Sequence, residues 1–319
     1  MIAAMAGIAP HLLEVEAVMT EALASSEPQV MRLVAELGQF HGKMLRPSLC
    51  LLVAECVSTA DRRHHVLGAA LELIHTATLI HDDLIDDAAT RRGQSTAHVR
   101  FGNTTSVLLG DYLYTRAFSL ATSLGEIDIL ERLCNATNTL CEGELHQQVA
   151  SHNANLSEAE YFRIIYGKTA ALTELAGFFG SVAGDSSARE AAASYGRDLG
   201  LAFQIVDDCL DLAGDAKKVG KTLATDLERG RMTLPLIRVL AAEKPSERNA
   251  LEHRLLHPEG TEQIEAARRL IIDRGGLASA QSAARDLAAS AKAHLTTLPD
   301  NPARTQLAKL ADFVVARDF

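Results

Sequence analysis

Tryptophan is absent from the 319 residues, aromatic side chains make up only 4%, and proline occupies eight positions. Runs of Val, Ile and Thr with period two are missing, as is any alternation of strand with helix. This argues against a doubly wound, Rossmann-type sheet. No apolar run approaches the roughly 18 residues that would cross a bilayer. The first residues, Ile2 to Ala9, are apolar but have no basic segment before them, and Glu14 and Glu16 follow closely, so no secretory signal is read. Basic tracts are lacking in a chain of net charge −10, which argues against nucleic acid as a partner. The five cysteines (Cys50, Cys56, Cys134, Cys141, Cys209) form no CxxC pair and are odd in number. They read as reduced, small core residues of a cytoplasmic protein.

What remains is an alanine-rich chain, 47% hydrophobic, in which apolar residues recur at three- and four-residue spacing. That pattern predicts an all-α protein. A first helical region over 11–38 is interrupted near Pro28, and the next helix starts at Pro47 and runs to about Cys56. A turn at 58–62 precedes a long helix over about 64–88, followed by a polar loop at Arg91-Arg92-Gly93. Further helices are expected at about 104–124 and 127–150, after the capping box Ser157-Glu158-Ala159-Glu160, and at about 188–212. A basic, glycine-containing loop spans 214–230, a helix begins at Thr233-Leu234-Pro235, and 244–260 reads as a proline-containing loop. The remainder is helical, with a break at Pro299–Pro302. No shift in composition marks a boundary, so 1–319 reads as one domain.

The features that carry chemistry are two matched acidic motifs, Asp82-Asp83-Leu84-Ile85-Asp86 and Asp207-Asp208-Cys209-Leu210-Asp211. Each follows apolar sequence. On a helix, positions i and i+4 share a face, so Asp82 pairs with Asp86 and Asp207 with Asp211. At about 4 Å and an effective dielectric near 20, two carboxylates repel by on the order of 4 kcal/mol. One such motif alone reads equally well as a solvated helix face. Two, both set in apolar sequence, point to a divalent cation, and oxygen-only ligands favour Mg²⁺, which shares its shell with substrate phosphates.

Cations are distributed as a polyphosphate-binding protein would need them. Lys43 and Arg46 lie at the mouth of the helix that starts at Pro47, where free N–H groups already favour anions. Arg91 and Arg92 follow the first motif, Lys221 follows the second, and Lys168 lies in Gly167-Lys168-Thr169. His75 precedes Asp82 by two helical turns and faces the same way. Singly, each reads as a solvated cap or a core histidine. Together with two carboxylate pairs they suit two polyphosphate groups, one held through metal and one held directly by cations.

In order along the chain, these residues resemble the trans-type isoprenyl (polyprenyl) diphosphate synthases, most of all the long-chain, octaprenyl-type enzymes. Ile74 to Asp83 with Arg91-Arg92-Gly93 looks like the family's first Asp-rich motif, and Phe203-Gln204-Ile205-Val206-Asp207-Asp208 with Asp211 like the second. Gly42 to Pro47, Gly110-Asp111-Tyr112-Leu113, Gly143-Glu144, Gly167-Lys168-Thr169, Gly220-Lys221 and Gly230 to Pro235 match other landmarks, so the resemblance covers nearly the whole chain. It implies a single all-α domain of many mostly antiparallel helices around a deep central cavity, usually as a homodimer. It further implies that Asp82, Asp86 and Asp207 ligate Mg²⁺, about three ions per site when an allylic diphosphate (farnesyl or geranyl) is bound. Asp83, Asp208 and Asp211 would touch the ions or stand one residue removed, and Asp211 is counted with the ligands. Arg91, Lys168, Thr169, Gln204 and Lys221 would contact the allylic diphosphate, Lys168 and Lys221 taking a catalytic part. Lys43, Arg46, His75 and Arg92 would hold isopentenyl diphosphate. Ala224 departs from the pattern, because many relatives have Gly in that loop.

The chemistry implied is ionisation of the allylic C–O bond, attack by isopentenyl diphosphate, loss of a proton and repetition. One helical turn, about 5.4 Å, is comparable to one isoprene unit. The positions one turn before the first motif, Ala77 and Thr78, are small, which implies a tail of roughly six to ten isoprene units, as in a quinone side chain. Ile74, Leu71 and Ala70 come next on that line. The rival readings are a short-chain farnesyl or geranylgeranyl diphosphate synthase, a class I terpene cyclase, and a non-catalytic synthase subunit. The cyclase would need Asn and Ser/Thr metal ligands, and the non-catalytic subunit would have lost acidic ligands that are all present here. So apolar a product implies transient membrane contact for its release.

Overall fold

The computed structural model describes residues 6–37, 44–91, 93–213, 224–258 and 260–317. Among them the chain is helical apart from one two-residue antiparallel ladder, Thr90–Arg91 (β1) against Gln94–Ser95 (β2). The all-α expectation holds, and this ladder stands where a polar loop was expected. The helices gather into two compact units. The first comprises Met1–Thr137, Leu172–Gly196 and His294–Lys309, and the second Asn138–Ala171, Arg197–Ala293 and Leu310–Phe319.

In the first unit, α1 (Ala9–Ala22) and α2 (Pro28–Leu37) are separated where Pro28 opens the second of them. Helix α3 (Leu45–Val57) begins two residues before Pro47, entered through Met44 at φ 49°. Pro47 fits there because the first turn has no N–H to lose. Helix α4 (Arg62–Ile85) starts from Asp61, which accepts from Arg63 N at 3.0 Å and His64 N at 3.3 Å in a capping box. It is buried without a break from His64 to Ile74. It ends where Asp87 turns to φ 47° and the Ala88 N–H closes on Asp83 O at 2.9 Å.

Helices α5 (Ala97–Phe101) and α6 (Asn103–Ser123) follow, and α6 packs along α4. The close approach depends on Gly110, because a Cβ there would sit 2.1 Å from Nε2 of His81. That ring, one residue before Asp82, instead meets Val107 O at 3.1 Å.

Helix α7 (Ile127–Ala150) enters the second unit at Asn138. There α8 (Glu158–Ile165) starts from the expected capping box: Ser157 Oγ accepts from Glu160 N at 3.2 Å, and Glu160 Oε2 accepts from Ser157 N at 2.9 Å. A π-helical turn, Tyr166–Ala170, connects it to α9 (Ala171–Gly180), and α10 (Ser186–Ala213) carries the second acidic motif on its last turns. Then come α11 (Thr225–Glu228), α12 (Leu234–Ala241), α13 (Pro245–Leu256), α14 (Gly260–Asp273), α15 (Gly276–His294) and α16 (Pro302–Val315).

Helix α13 corrects the loop expected at 244–260. Pro245 opens the helix instead of interrupting one, and Leu251, Leu255 and Leu256 supply its buried face. The unit's apolar core gathers Ile205, Val206, Cys209 and Leu210 of α10 with Leu234, Leu236 and Leu255. Burying each such aliphatic side chain contributes roughly 1.5–3 kcal/mol. Arg238 ties α12 to α8 with a fork onto Glu158, at 2.6 and 3.1 Å.

Candidate active site

The first acidic motif occupies the C-terminal turn of α4. The Asp86 N–H donates to Asp82 O at 2.8 Å, so these residues do stand one turn apart on one face, and both are half-buried. Asp83 lies on another face. It is 4% exposed, and Arg91 Nε donates to both of its oxygens at 2.8 and 2.9 Å. Arg91, expected on a diphosphate, is thus engaged by the motif's own middle aspartate. The ladder that places it there follows directly from the end of α4.

His75 is half-buried on the same helix, with its carbonyl accepting from Thr78 Oγ1 at 2.7 Å. Arg46 sits in the first turn of α3 and is only 9% exposed. Burial lowers its guanidinium to about 10, opposed by the nearby buried carboxylate of Glu72. The expected open mouth at this position is a buried cation beside a buried anion. Lys43, Arg92 and Lys221 lie outside the described residues.

The second unit holds the other motif in a denser polar network. Asp208 accepts from the Tyr161 hydroxyl at 2.6 Å and from Gln204 Nε2 at 2.8 Å, and Thr169 Oγ1 donates to Gln204 Oε1 at 2.6 Å. Lys168 Nζ meets Glu144 Oε1 at 2.8 Å. The π turn is pressed on α7 through two glycines: a Cβ on Gly143 would lie 2.7 Å from Lys168 N, and one on Gly167 would lie 2.8 Å from Thr139 O. Asp211 Oδ1 accepts from Thr225 Oγ1 at 2.7 Å, and its Oδ2 accepts from Asp226 N at 3.0 Å. Asp211 therefore holds the start of α11 (Thr225–Glu228), which is preceded by Ala224 in the left-handed conformation at φ 59°. Alanine adopts this glycine-like backbone at some cost. Asp207 pairs with Arg317, whose guanidinium also stacks on Phe203 at 4.8 Å.

Burial, then repulsion from Asp226, pushes the Asp208 carboxyl up to about 8 and that of Asp211 up to about 6. Cys209, the apolar spacer between them, is fully buried. A pocket in this unit is lined by Tyr161, Lys168, Gln204, Asp208, Asp226 and Arg231. Arg231 reaches Asp226 at 3.3 Å.

These residues fit a hard divalent cation. The donors are oxygens only, and burial together with the neighbouring charge of Asp226 raises the proton affinity of Asp208 and Asp211. Among the described residues no group of three or more His, Cys, Asp or Glu side chains is assembled for a metal. An ion that keeps waters and substrate phosphate oxygens in its shell suits that arrangement.

Sequence reading did not find Glu72, Tyr161, Asp226 or Arg317, and Arg231 was visible only within the landmark Gly230 to Pro235. Tyr161 sits at an ordinary apolar position of α8, and Arg317 reaches Asp207 over 110 residues of chain, so neither carries a local signal. Glu144 was visible only as part of Gly143-Glu144.

Residues 27–271 match the sequence profile of the polyprenyl synthetase family. The chain belongs to that family, and it is a prenyltransferase. It is 38% identical over 294 residues to an octaprenyl diphosphate synthase of Escherichia coli, an alignment covering 90% of this chain and 91% of that one. A polyprenyl synthase from Caulobacter crescentus, solved in complex with calcium and isoprenyl diphosphate, superposes with a TM-score of 0.92 at 38% identity, covering 99% and 97% of the two chains. A short chain isoprenyl diphosphate synthase of Methanothermobacter thermautotrophicus is 37% identical over 284 residues, 87% of each chain. No helix among the described residues is long and apolar enough to cross a membrane.

Proposed function

We propose that this chain is a Mg²⁺-dependent trans-polyprenyl diphosphate synthase. It adds isopentenyl diphosphate repeatedly to an allylic diphosphate, farnesyl or geranyl, to make a long all-trans product of octaprenyl type for a quinone side chain. The observation that carries this reading is the aspartate-ended helix α4, in which Asp82 and Asp86 share a face and the positions one turn earlier, Ala77 and Thr78, are small. The whole of 1–319 would act as one synthase domain in the cytoplasm.

Asp82, Asp86 and Asp207 are the residues that would hold Mg²⁺, with Asp211 fixing the turn that follows. Bound there, Mg²⁺ would neutralise charge developing on the departing diphosphate. Lys168 and Lys221 add positive charge to that group, and Thr169 and Gln204 orient it. Arg46, Lys43, Arg92 and His75 would hold isopentenyl diphosphate without metal, its double bond turned toward the allylic carbon. Apolar walls are needed because water would trap the allylic cation. Exposed Val107, Leu108 and Ile127 of the first unit, and Leu145 and Val149 of the second, are apolar side chains that a second copy would cover, in keeping with a homodimer. Transient membrane contact would unload the product.

A short-chain product is the second reading, favoured by the 37% identity to a short chain enzyme. The experiment is to incubate the protein with Mg²⁺, labelled isopentenyl diphosphate and farnesyl diphosphate, and to separate the dephosphorylated products by length. A ladder reaching about six units or more supports the long-chain reading. Arrest at about three or four units replaces it with the second, and places a floor near Ile74. No condensation at all would remove both.

A further inference from the structure

Within the second unit, Asp208 spends both carboxylate oxygens on neutral donors, Tyr161 OH and Gln204 Nε2. Gln204 Nε2 is the donor in its pair with Asp208 Oδ1, at 2.8 Å, so the amide nitrogen faces Asp208. The amide oxygen is thereby turned to Thr169, whose hydroxyl donates to it at 2.6 Å. Thr169 belongs to the π turn that carries Lys168, and that turn is seated on α7 through Gly143 and Gly167. Tyr161 is 2% exposed and Asp208 8% exposed. Two buried groups at the base thus set the direction of an amide and a hydroxyl beside Lys168.

We infer that Tyr161 and Asp208 are positioning residues for the allylic diphosphate: Tyr161 locks the Asp208 carboxylate, which fixes the orientation of Gln204 and, through it, Thr169. Asp208 on this account acts as a strut of the second motif, not as a ligand. The inference rests on the prenyl transfer proposed above and deepens it. Tyr161 has not been given a part in that reaction by its position in the sequence, since it occupies an apolar site of α8, edge-on to Phe162 at 5.7 Å between ring centres.

The test uses full-length protein with farnesyl and isopentenyl diphosphates and Mg²⁺. Tyr161→Phe keeps the ring and removes the hydroxyl. Asp208→Asn keeps the shape but can present either an oxygen or an amide group to Gln204, so the amide is no longer directed. Each should raise KM for farnesyl diphosphate roughly tenfold, the worth of one hydrogen bond to a charged group. The KM for isopentenyl diphosphate should stay within about twofold, less than half a kcal/mol. The double variant should be no worse than the weaker single, because both act through one link. An unchanged farnesyl KM in Tyr161→Phe overturns the inference. Parallel rises in both KM values also overturn it, since general loosening would produce them. If wild-type protein condenses the two substrates and only the variants behave otherwise than stated, the strut fails and the synthase reading stands. If wild-type protein performs no condensation, both fall.

Discussion

At the end of α4, Asp83 turns into the first unit and binds the guanidinium of Arg91 across both oxygens. The matching residue of the second motif, Asp208, turns into the second unit and is held by two neutral groups, Tyr161 and Gln204. The first motif therefore neutralises its middle charge with a cation. The second satisfies its hydrogen bonds with neutral groups, and burial, then repulsion from Asp226, pushes its middle carboxyl up to about 8. Two segments that read almost identically are thus opposite electrostatic solutions. Among the described residues, Arg317 pairs with Asp207. The second motif is the one that gains more from an added cation.

The largest expected difference lies between outer and middle aspartates. Asp82→Ala and Asp207→Ala should each lower kcat by on the order of a thousandfold, because charge on the leaving diphosphate would go unneutralised. Asp83→Asn and Asp208→Asn should lose far less, and steady-state kinetics at saturating Mg²⁺ would show it. Equal losses in all four would erase the distinction between ligand and strut.

Stability should separate the two middle residues next. Asp83→Asn strands a largely buried guanidinium, whose uncompensated charge costs about 3 kcal/mol. The Asp208 carboxyl, pushed up to about 8, is already protonated in the fold near neutral pH, so Asp208→Asn exchanges one neutral group for another and should cost under about 1 kcal/mol. Urea denaturation of both variants in chelator decides this, and a larger loss from Asp208→Asn would contradict the account.

pH acts with opposite sign in the two units. In the second, the folded-state values of Asp208 and Asp211 are raised, to about 8 and about 6. Their protonated forms stabilise the fold, and that contribution is lost as pH rises through 6 and then 8. In the first, His65 is lowered from 6.5 by burial and then by His11, whose ring nitrogen lies 2.9 Å away. The stability tied to neutral His65 is present above 6.5 and is lost as pH falls through its lower folded value. Hydrogen exchange in chelator should therefore show the second unit loosening toward pH 9 and the neighbourhood of His65 loosening toward pH 5. Adding Mg²⁺ should flatten only the first of these trends.

The smallest effect expected is on Arg317. Arg317→Ala removes a cation that competes with metal for Asp207, so half-activation should need about two- to threefold less Mg²⁺. A shift toward higher Mg²⁺ would mean that the guanidinium assists binding.

Much of this protein could be read before its structure. Spacing of apolar residues predicts the helices, Ser157 with Glu160 marks the start of α8, and the i, i+4 spacing puts Asp82 and Asp86 on one face. The structure departs from that reading at Pro245 and at the ladder after Asp86. Pro245 falls in the loop expected at 244–260 and instead opens α13, since proline is equally at home in a loop and in a first helical turn. Arg91 is expected on a diphosphate, and what the spacing did not tell is that local chain geometry also brings it to Asp83.

Sequence alone determined the all-α class, the two acidic helix ends and the order of the landmarks, because each depends on residues within a turn or two of one another. Tertiary structure alone decided which aspartate would become a strut. Whether a carboxylate faces Arg91, Tyr161 or Thr225 depends on contacts made across 8, 47 and 14 residues of chain. The charge it keeps depends on how deeply those contacts bury it, and neither depth nor partner is encoded by the spacing of the motif itself.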